Sequence, residues 1–388
     1  MNINDLKNSF EKIFKSLPEN QYFSPGRINL IGEHTDYNGG FVFPCAITLG
    51  TYGLVKKRND NKFRLYSLNF EDMDLVEVDL SNLEYNEKDA WTNYVKGMLK
   101  YMAEENPSIN TGLDILVYGN IPNGAGLSSS ASLEMLIGVI LKEEFSLNID
   151  KQTLSLISKK VENQYIGVNS GIMDQFAVAF GKVNSAIILD CNTLYYEYVN
   201  VNLEDNLIVI MNTNKRRELT DSKYNERRSE CDRALSKLQT IIKINNLCDL
   251  TVKEFNRHKH IIKNNIEEKR ALHAISENER TKEAMKLLRN NNLEAFGRLM
   301  NESHLSLKDN YEVTGKELDT LVESAWRQQG VLGARMTGAG FGGCAIAIVS
   351  KEDLDSFIKN VSKDYKKVIG YEASFYIASI GEGSQKLS

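Results

Sequence analysis

One stretch limits what this chain can fold into: Gly119-Asn-Ile-Pro-Asn-Gly-Ala-Gly-Leu-Ser-Ser-Ser-Ala-Ser132. A short β-type run, Leu113 to Tyr118, enters it, and an apolar, helix-compatible run from about Ala131 to Phe145 leaves it. Gly124 and Gly126 let the backbone turn sharply and come close to a ligand. Ser128, Ser129 and Ser130 then sit at the opening of a helix, where free backbone N–H groups and the positive dipole end favour an anion. Strand, Gly/Ser loop and helix start together make a phosphate cradle. A plainer alternative stands beside it, because Ser is a common N-cap and Gly, Asn and Pro are ordinary turn formers.

Two better-known phosphate motifs are excluded. A Walker A loop requires G-x-x-x-x-G-K-[ST], and the chain contains no such string. A dinucleotide fingerprint does occur at Gly338-Ala-Gly-Phe-Gly-Gly343. The residues after it, Cys344-Ala-Ile-Ala-Ile-Val349, read as a buried strand and not as the helix that such a fingerprint must open.

At 388 residues, two domains of ordinary size are expected, with the crossing near 190: residues 1–190 and 191–388. A composition of 42% hydrophobic and 26% charged residues is that of a globular protein. A net charge of -5 argues against a nucleic-acid partner. No apolar run is long enough to span a membrane, and Met1 to Leu17 lacks a signal-peptide core. Five scattered cysteines with no C-x-x-C pair read as reduced thiols of a cytoplasmic protein.

The periodicity predicts an α+β chain of two lobes with mixed β-sheets. Residues 1–20 read as one amphipathic helix closed by Pro18, and Phe41 to about Val55 as a strand. Helices are expected over Asp89–Glu104, with Trp91 in the core or lining a nucleotide pocket, and over Leu154–Tyr165, which carries Glu162. In the second half, a basic loop at Thr213–Asp221 precedes helices near Ser222–Ile241, Lys269–Glu279, Thr281–Arg289 and Leu293–Lys308. The charge run Asn225–Glu230 is expected to be a solvated face.

Between Tyr22 and Gly40, Arg27, Glu33, His34 and Asp36 stand among glycines and short apolar runs. Burying such groups is costly unless they are paired or face a ligand. Either they decorate a polar turn, or Glu, His and Asp within four residues meet several hydroxyls of a polyol. Asp174 is isolated in an otherwise hydrophobic neighbourhood, which also marks it for a role.

Three stretches then agree. Gly26-Arg-Ile-Asn-Leu-Ile-Gly-Glu-His-Thr-Asp-Tyr37 resembles the galactokinase signature. Gly124-Ala-Gly-Leu-Ser-Ser-Ser-Ala131 and Thr337-Gly-Ala-Gly-Phe-Gly-Gly-Cys344 resemble the second and third motifs of the GHMP kinases. The resemblance implies a two-lobed GHMP kinase fold with its site in the cleft, and phosphorylation of the galactose C1 hydroxyl by ATP. It implies that Gly124, Ala125, Gly126, Leu127, Ser128, Ser129 and Ser130 wrap the ATP phosphates, with Ser67 as a further nucleotide contact. Magnesium would be held by Ser130 and Glu162. Glu33, His34, Thr35 and Asp36 would bind the sugar, with Tyr224 closing the pocket. Asp174 is implied as the catalytic aspartate, as base or as orienter of the hydroxyl, and Arg27 as the arginine beside it. The family is commonly monomeric. The same resemblance leaves an N-acetylgalactosamine kinase and a non-catalytic sugar sensor as rival readings.

Overall fold

The computed structural model describes residues 1–122, 124–215 and 220–387; Asn123 of the Gly/Ser loop and positions 216–219 of the basic loop lie outside it. The first half runs α1 (Ile3–Phe14), β1 (Asn20–Asn29), β2 (Phe41–Val42), β3 (Pro44–Lys57), β4 (Lys62–Ser67) and β5 (Val76–Asp79). It continues with α2 (Thr92–Glu105), β6 (Leu113–Gly119), α3 (Ser129–Glu144), α4 (Lys151–Lys160), α5 (Met173–Phe180) and β7 (Ser185–Asp190). Then follow β8 (Tyr196–Asn200), β9 (Asn206–Asn212), α6 (Thr220–Leu238), α7 (Val252–His258), α8 (Asn265–Arg289) and α9 (Leu293–Ser306). The chain closes with α10 (Gly315–Trp326), β10 (Val331–Thr337), β11 (Cys344–Ser350), α11 (Leu354–Ile369), β12 (Ser374–Ala378) and β13 (Gln385–Leu387).

Three sheets result, ordered β13-β1-β3-β6-β4-β5, β10-β11-β9-β12 and β2-β7-β8. In the first, β4 and β6 pair in parallel while the other pairs are antiparallel. The last strand, β13, lies against β1, so the end of the chain returns to the sheet of its first half.

Apolar spacing decides which face each helix covers. In α1, Leu6, Phe10 and Phe14 recur one turn apart and pack on Leu54 and Leu116. On the opposite face, Val95, Met98 and Met102 of α2 and Leu136 and Ile140 of α3 build the first core. A second core joins Val209, Met211 and Ala347 to α6, α8, α10 and α11. Between them, Ile28, Ile31 and Phe43 share one apolar layer with Ile210, Phe296 and Ile346, which seats the two lobes against each other.

Several expectations are corrected. The first helix stops at Phe14, where Lys15 takes a left-handed φ of 58, and not at Pro18. The run from Phe41 to Val55 is broken at Phe43, with β2 pairing to β7 and β3 to β1 and β6. Lys269–Glu279 and Thr281–Arg289 form one helix, α8, because Arg280 is held within it by Glu277 at 2.8 Å. The charge run at 225–230 is only partly solvated. Glu230 is buried and accepts from Arg270 Nε at 2.7 Å, with the Arg270 side chain only 2% exposed. Replacing one member of such a pair strands the other charge away from water. Arg270→Met should therefore lower the unfolding free energy by about 3–5 kcal/mol, read from urea denaturation at neutral pH.

Candidate active site

The site is assembled from segments far apart in sequence, beginning near the C-terminal end of β1. Arg27 Nε donates to Asp174 Oδ1 at 2.9 Å and Nη2 to Oδ2 at 2.8 Å, a two-pronged pair spanning 147 positions. Its Nη1 donates to the Gly126 carbonyl at 2.8 Å. The Arg27 side chain is 4% exposed and that of Asp174 28%, so the guanidinium backs the pair and the carboxylate faces the cavity. Ser128 Oγ donates to Asp174 Oδ2 at 2.5 Å. A carboxylate offers about four lone-pair directions. These donors take one on Oδ1 and two on Oδ2, which leaves a place on Oδ1 for one more hydroxyl.

Because the Ser128 hydroxyl is committed to Asp174, it does not cap α3. The first-turn N–H groups of that helix are thereby left for an anion. Ala125 and Leu127 point their side chains into the apolar layer between the lobes, so only their backbone borders the loop.

A cavity of about 130 Å³ opens beside Asp174. Arg27, Glu33, His34 and Asp36 line one side, Tyr224 of α6 another, and Gly338 and Ala339 of the third glycine cluster close it. Thr35 does not line it. Its hydroxyl is turned to the Gly32 and Phe41 carbonyls, 2.9 and 2.7 Å away, and fixes the loop instead. Glu33 reaches the cavity only at its edge. Its carboxylate accepts from Asn29 Nδ2, from Arg335 Nη1 at 2.9 Å and from the Gly338 N–H at 2.7 Å. His34, at a φ of 63, has Nδ1 against the Tyr37 hydroxyl at 2.8 Å. Burial, with the charge of His273, lowers its pKa to about 3, so the imidazole is neutral. Burial, with the Asp174 charge, pushes Asp36 up to about 6.

A second cavity of about 180 Å³ is lined by Ser67, Trp91, Tyr94, Ser129 and Ser130. Trp91 is thus both nearly buried and a wall of this hollow. Ser130 Oγ donates to Glu162 Oε1 at 2.7 Å, and Glu162 lines the first cavity. That hydrogen bond is where the two hollows meet. Glu162 sits not in α4 but in the π-helical turn that follows, Val161–Ile166, a wider winding frequent at functional sites.

Ser170 and Gly171 are among the lining residues that were not anticipated. Ser170 Oγ donates to the other oxygen of Glu162 at 2.5 Å. A Cβ on Gly171 would lie 1.8 Å from Asp36 Oδ2, so only glycine allows this approach. The signal was the glycine-flanked bend at 167–171 just ahead of Asp174.

The comparisons with known proteins bear on this geometry. A galactokinase galactose-binding signature matches residues 8–57, a GHMP kinases N terminal domain residues 93–182, and a GHMP kinases C terminal domain residues 284–367. A galactokinase of Clostridium perfringens (strain SM101) is 62% identical over 387 residues, covering 100% of both chains. The chain belongs to the galactokinase family. A second galactokinase, of Ligilactobacillus salivarius, is 57% identical over 98% of this chain and 99% of its own. The Lactococcus lactis galactokinase solved in complex with galactose superposes with a TM-score of 0.97 at 54% identity, over 99% of this chain and 100% of that one. A Methanococcus jannaschii mevalonate kinase shares the fold at a TM-score of 0.67 and 19% identity, over 93% and 98%. Like the rest of the galactokinase family the chain is a phosphotransferase with small-molecule substrates, ATP being one of them. Among the described residues no helix is long and apolar enough to cross a membrane.

The raised pKa of Asp36 has a sign that can be checked. In the folded chain its proton is held up to about pH 6, against an ordinary value of 3.8, so its contribution to stability is full below 3.8 and is lost as pH rises through 6. Asp36→Asn has no such proton to lose. It should be as stable as the parent near pH 4 and more stable by about 2 kcal/mol at pH 7.5, measured by urea midpoints at both values.

Proposed function

We propose that this chain transfers the γ-phosphoryl group of ATP to the C1 hydroxyl of α-D-galactose, giving galactose 1-phosphate and ADP, the entry step of galactose metabolism. The observation that carries the reading is the Arg27–Asp174–Ser128 constellation at the first cavity, together with the Ser130–Glu162 hydrogen bond that joins this cavity to the second. In this reading residues 1–190 and 191–388 act as the lobes of the cleft.

The first cavity takes the sugar. Asp36, His34 and Tyr224 offer polar edges to its hydroxyls, Glu33 offers the rim of a carboxylate held by Arg335, and Thr35 shapes the loop. The second takes the nucleotide, with Ser67 and Trp91 at its wall and Gly124 to Ser130 about the phosphates. The free position on Asp174 Oδ1 accepts the C1 hydroxyl and orients its oxygen toward the γ-phosphorus. As the O–P bond forms and the bond to ADP breaks, the hydroxyl proton passes to that carboxylate late. Such transfer needs chiefly positioning and positive field on the phosphoryl oxygens, which Arg27 and the uncapped start of α3 provide.

Magnesium fits the acidic side of this junction. Burial raises the pKa of Glu162, Asp174 adds to that, and its hydrogen-bond donors are the neutral hydroxyls of Ser130 and Ser170. A carboxylate and a hydroxyl without a cation suit a hard ion that keeps several waters and phosphate oxygens. Ser130 and Glu162 would hold it, and when bound it would neutralise charge developing on the phosphates. The absence of a nucleic-acid partner accords with the net charge of -5, a cytoplasmic place without membrane with the scattered cysteines and the lack of a long apolar run, and a monomer with the family resemblance.

ADP release should be measured against a panel of hexoses that includes galactose and N-acetylgalactosamine. Galactose should dominate; preference for the acetamido sugar, or no sugar-dependent ADP, would replace the reading by a related kinase or a sensor. Asp174→Ala should lower kcat by at least 10³-fold, about 4 kcal/mol of barrier, while ATP still quenches Trp91 fluorescence. Near-parental turnover would remove Asp174 from the chemistry.

A further inference from the structure

The bend ahead of α5 is gripped on three sides by three successive residues. Asn169 donates its N–H to Asn225 Oδ1 at 3.2 Å, and its carbonyl accepts from Arg228 Nη1 at 2.7 Å. Both partners lie on α6, and Arg228 stands one turn after Tyr224, which lines the first cavity. The next residue, Ser170, donates to Glu162, and Gly171 packs against Asp36. Planar peptide links leave little slack between neighbours. A displacement of α6 away from the cavity therefore pulls Asn169 and draws Ser170 off Glu162, whose other oxygen is bound by Ser130 at the second cavity.

We propose that Arg228 is a positioning residue that acts through Asn169 and Ser170 to set the Glu162 carboxylate, so that the seating of α6 at the sugar pocket is read on the phosphate side of the site. This rests on the assignment of the two cavities given above, and on Glu162 as an oxygen donor to the cation. Arg228 is not among the lining residues of either cavity, although its charge acts on Asp36 and Tyr224 of the first. Its guanidinium lies 5.7 Å from the Tyr37 ring centroid, which keeps it aimed along the bend.

The test compares Arg228→Gln, Arg228→Lys, Ser170→Ala and the double variant Arg228→Gln/Ser170→Ala. Amide hydrogen exchange in the ligand-free protein reads the loop without turnover: residues 167–171 should exchange faster in Arg228→Gln and return toward parental rates in Arg228→Lys. Mn²⁺ binding in the presence of a non-hydrolysable ATP analogue, followed by electron paramagnetic resonance, should weaken about tenfold in both single substitutions. The double variant should be no weaker than either, since both cut one path. Faster exchange with unchanged Mn²⁺ affinity would make the clasp merely structural, and additive losses would separate Arg228 from Ser170; either overturns the proposal. Neither readout requires sugar phosphorylation, so failure of the assigned activity shows up separately, in the ADP assay of the parent chain.

Discussion

A guanidinium taken out of water near the end of β1 is the constraint on which the site depends. Arg27 is held at 4% exposure, and a desolvated cation is tolerable only where it is paired with an acceptor of opposite charge. Its side chain donates to Asp174 at the start of α5 and to the Gly126 carbonyl, and its backbone N–H goes to the Leu127 carbonyl at 3.1 Å. One residue thereby fixes the Gly/Ser loop, the helix bearing Asp174 and the first sheet in one frame. Removal of the charge would leave Asp174 with the Ser128 hydroxyl and the loop carbonyl without its donor.

A second buried cluster carries that frame across to the other lobe. Arg335 on β10 is wholly enclosed and pairs with Glu33, while Thr337 Oγ1 accepts from the Asn29 N–H at 2.9 Å. Gly338 donates to Glu33, and at its φ of 84 an added Cβ would meet the Gly126 carbonyl at 2.8 Å. The three motifs are consequently in mutual contact: the first with the second through Arg27, the first with the third through Glu33, and the third with the second at Gly338. This explains why the glycine cluster at 338–343 reads like a nucleotide fingerprint yet opens a strand. Gly338 serves close backbone approach between the lobes and Gly340 close approach to the Val313 carbonyl within its own, not a turn into a helix.

How much of this was legible follows from which forces are local. Helices with apolar residues one turn apart were visible, and so were strands inside alternating or continuous apolar runs. The strand β1 was not, because Pro25, Gly26 and Arg27 interrupt its pattern; the register shift between Pro25 and Arg27 absorbs that irregularity. Arg27 and Asp174 were singled out because charge among apolar neighbours demands a partner, and they pair with each other; Ser130 and Glu162, named only through the resemblance, are hydrogen-bonded to one another. The side of the loop that Thr35 faces was not legible, since a hydroxyl within a polar run gives no hint of its direction, and here it is turned to the Gly32 and Phe41 carbonyls. Ser170 and Gly171 went unnamed because their importance lies in a contact with Asp36 and Glu162, distant in sequence and absent from any local period.

The remaining feature is an imbalance of charge, and it gives the fold its bias toward ligands. Burial raises the pKa values of Glu162 and Asp36, Asp174 adds to both, and Glu134, buried behind Glu162, is pushed well above the usual carboxylate range. Against these acids the cavity wall sets one guanidinium, Arg27, already shared with Asp174. A protein selected only for stability would not collect carboxylates in this way, because burial costs Asp36, Glu134 and Glu162 more than their neighbours return. In the proposed function, hydroxyl donors reaching Asp36 and Asp174 and a divalent cation reaching Glu162 would offset that cost. In that reading, the stability given up by these buried carboxylates would strengthen the interactions formed with the substrates where the phosphoryl group is held.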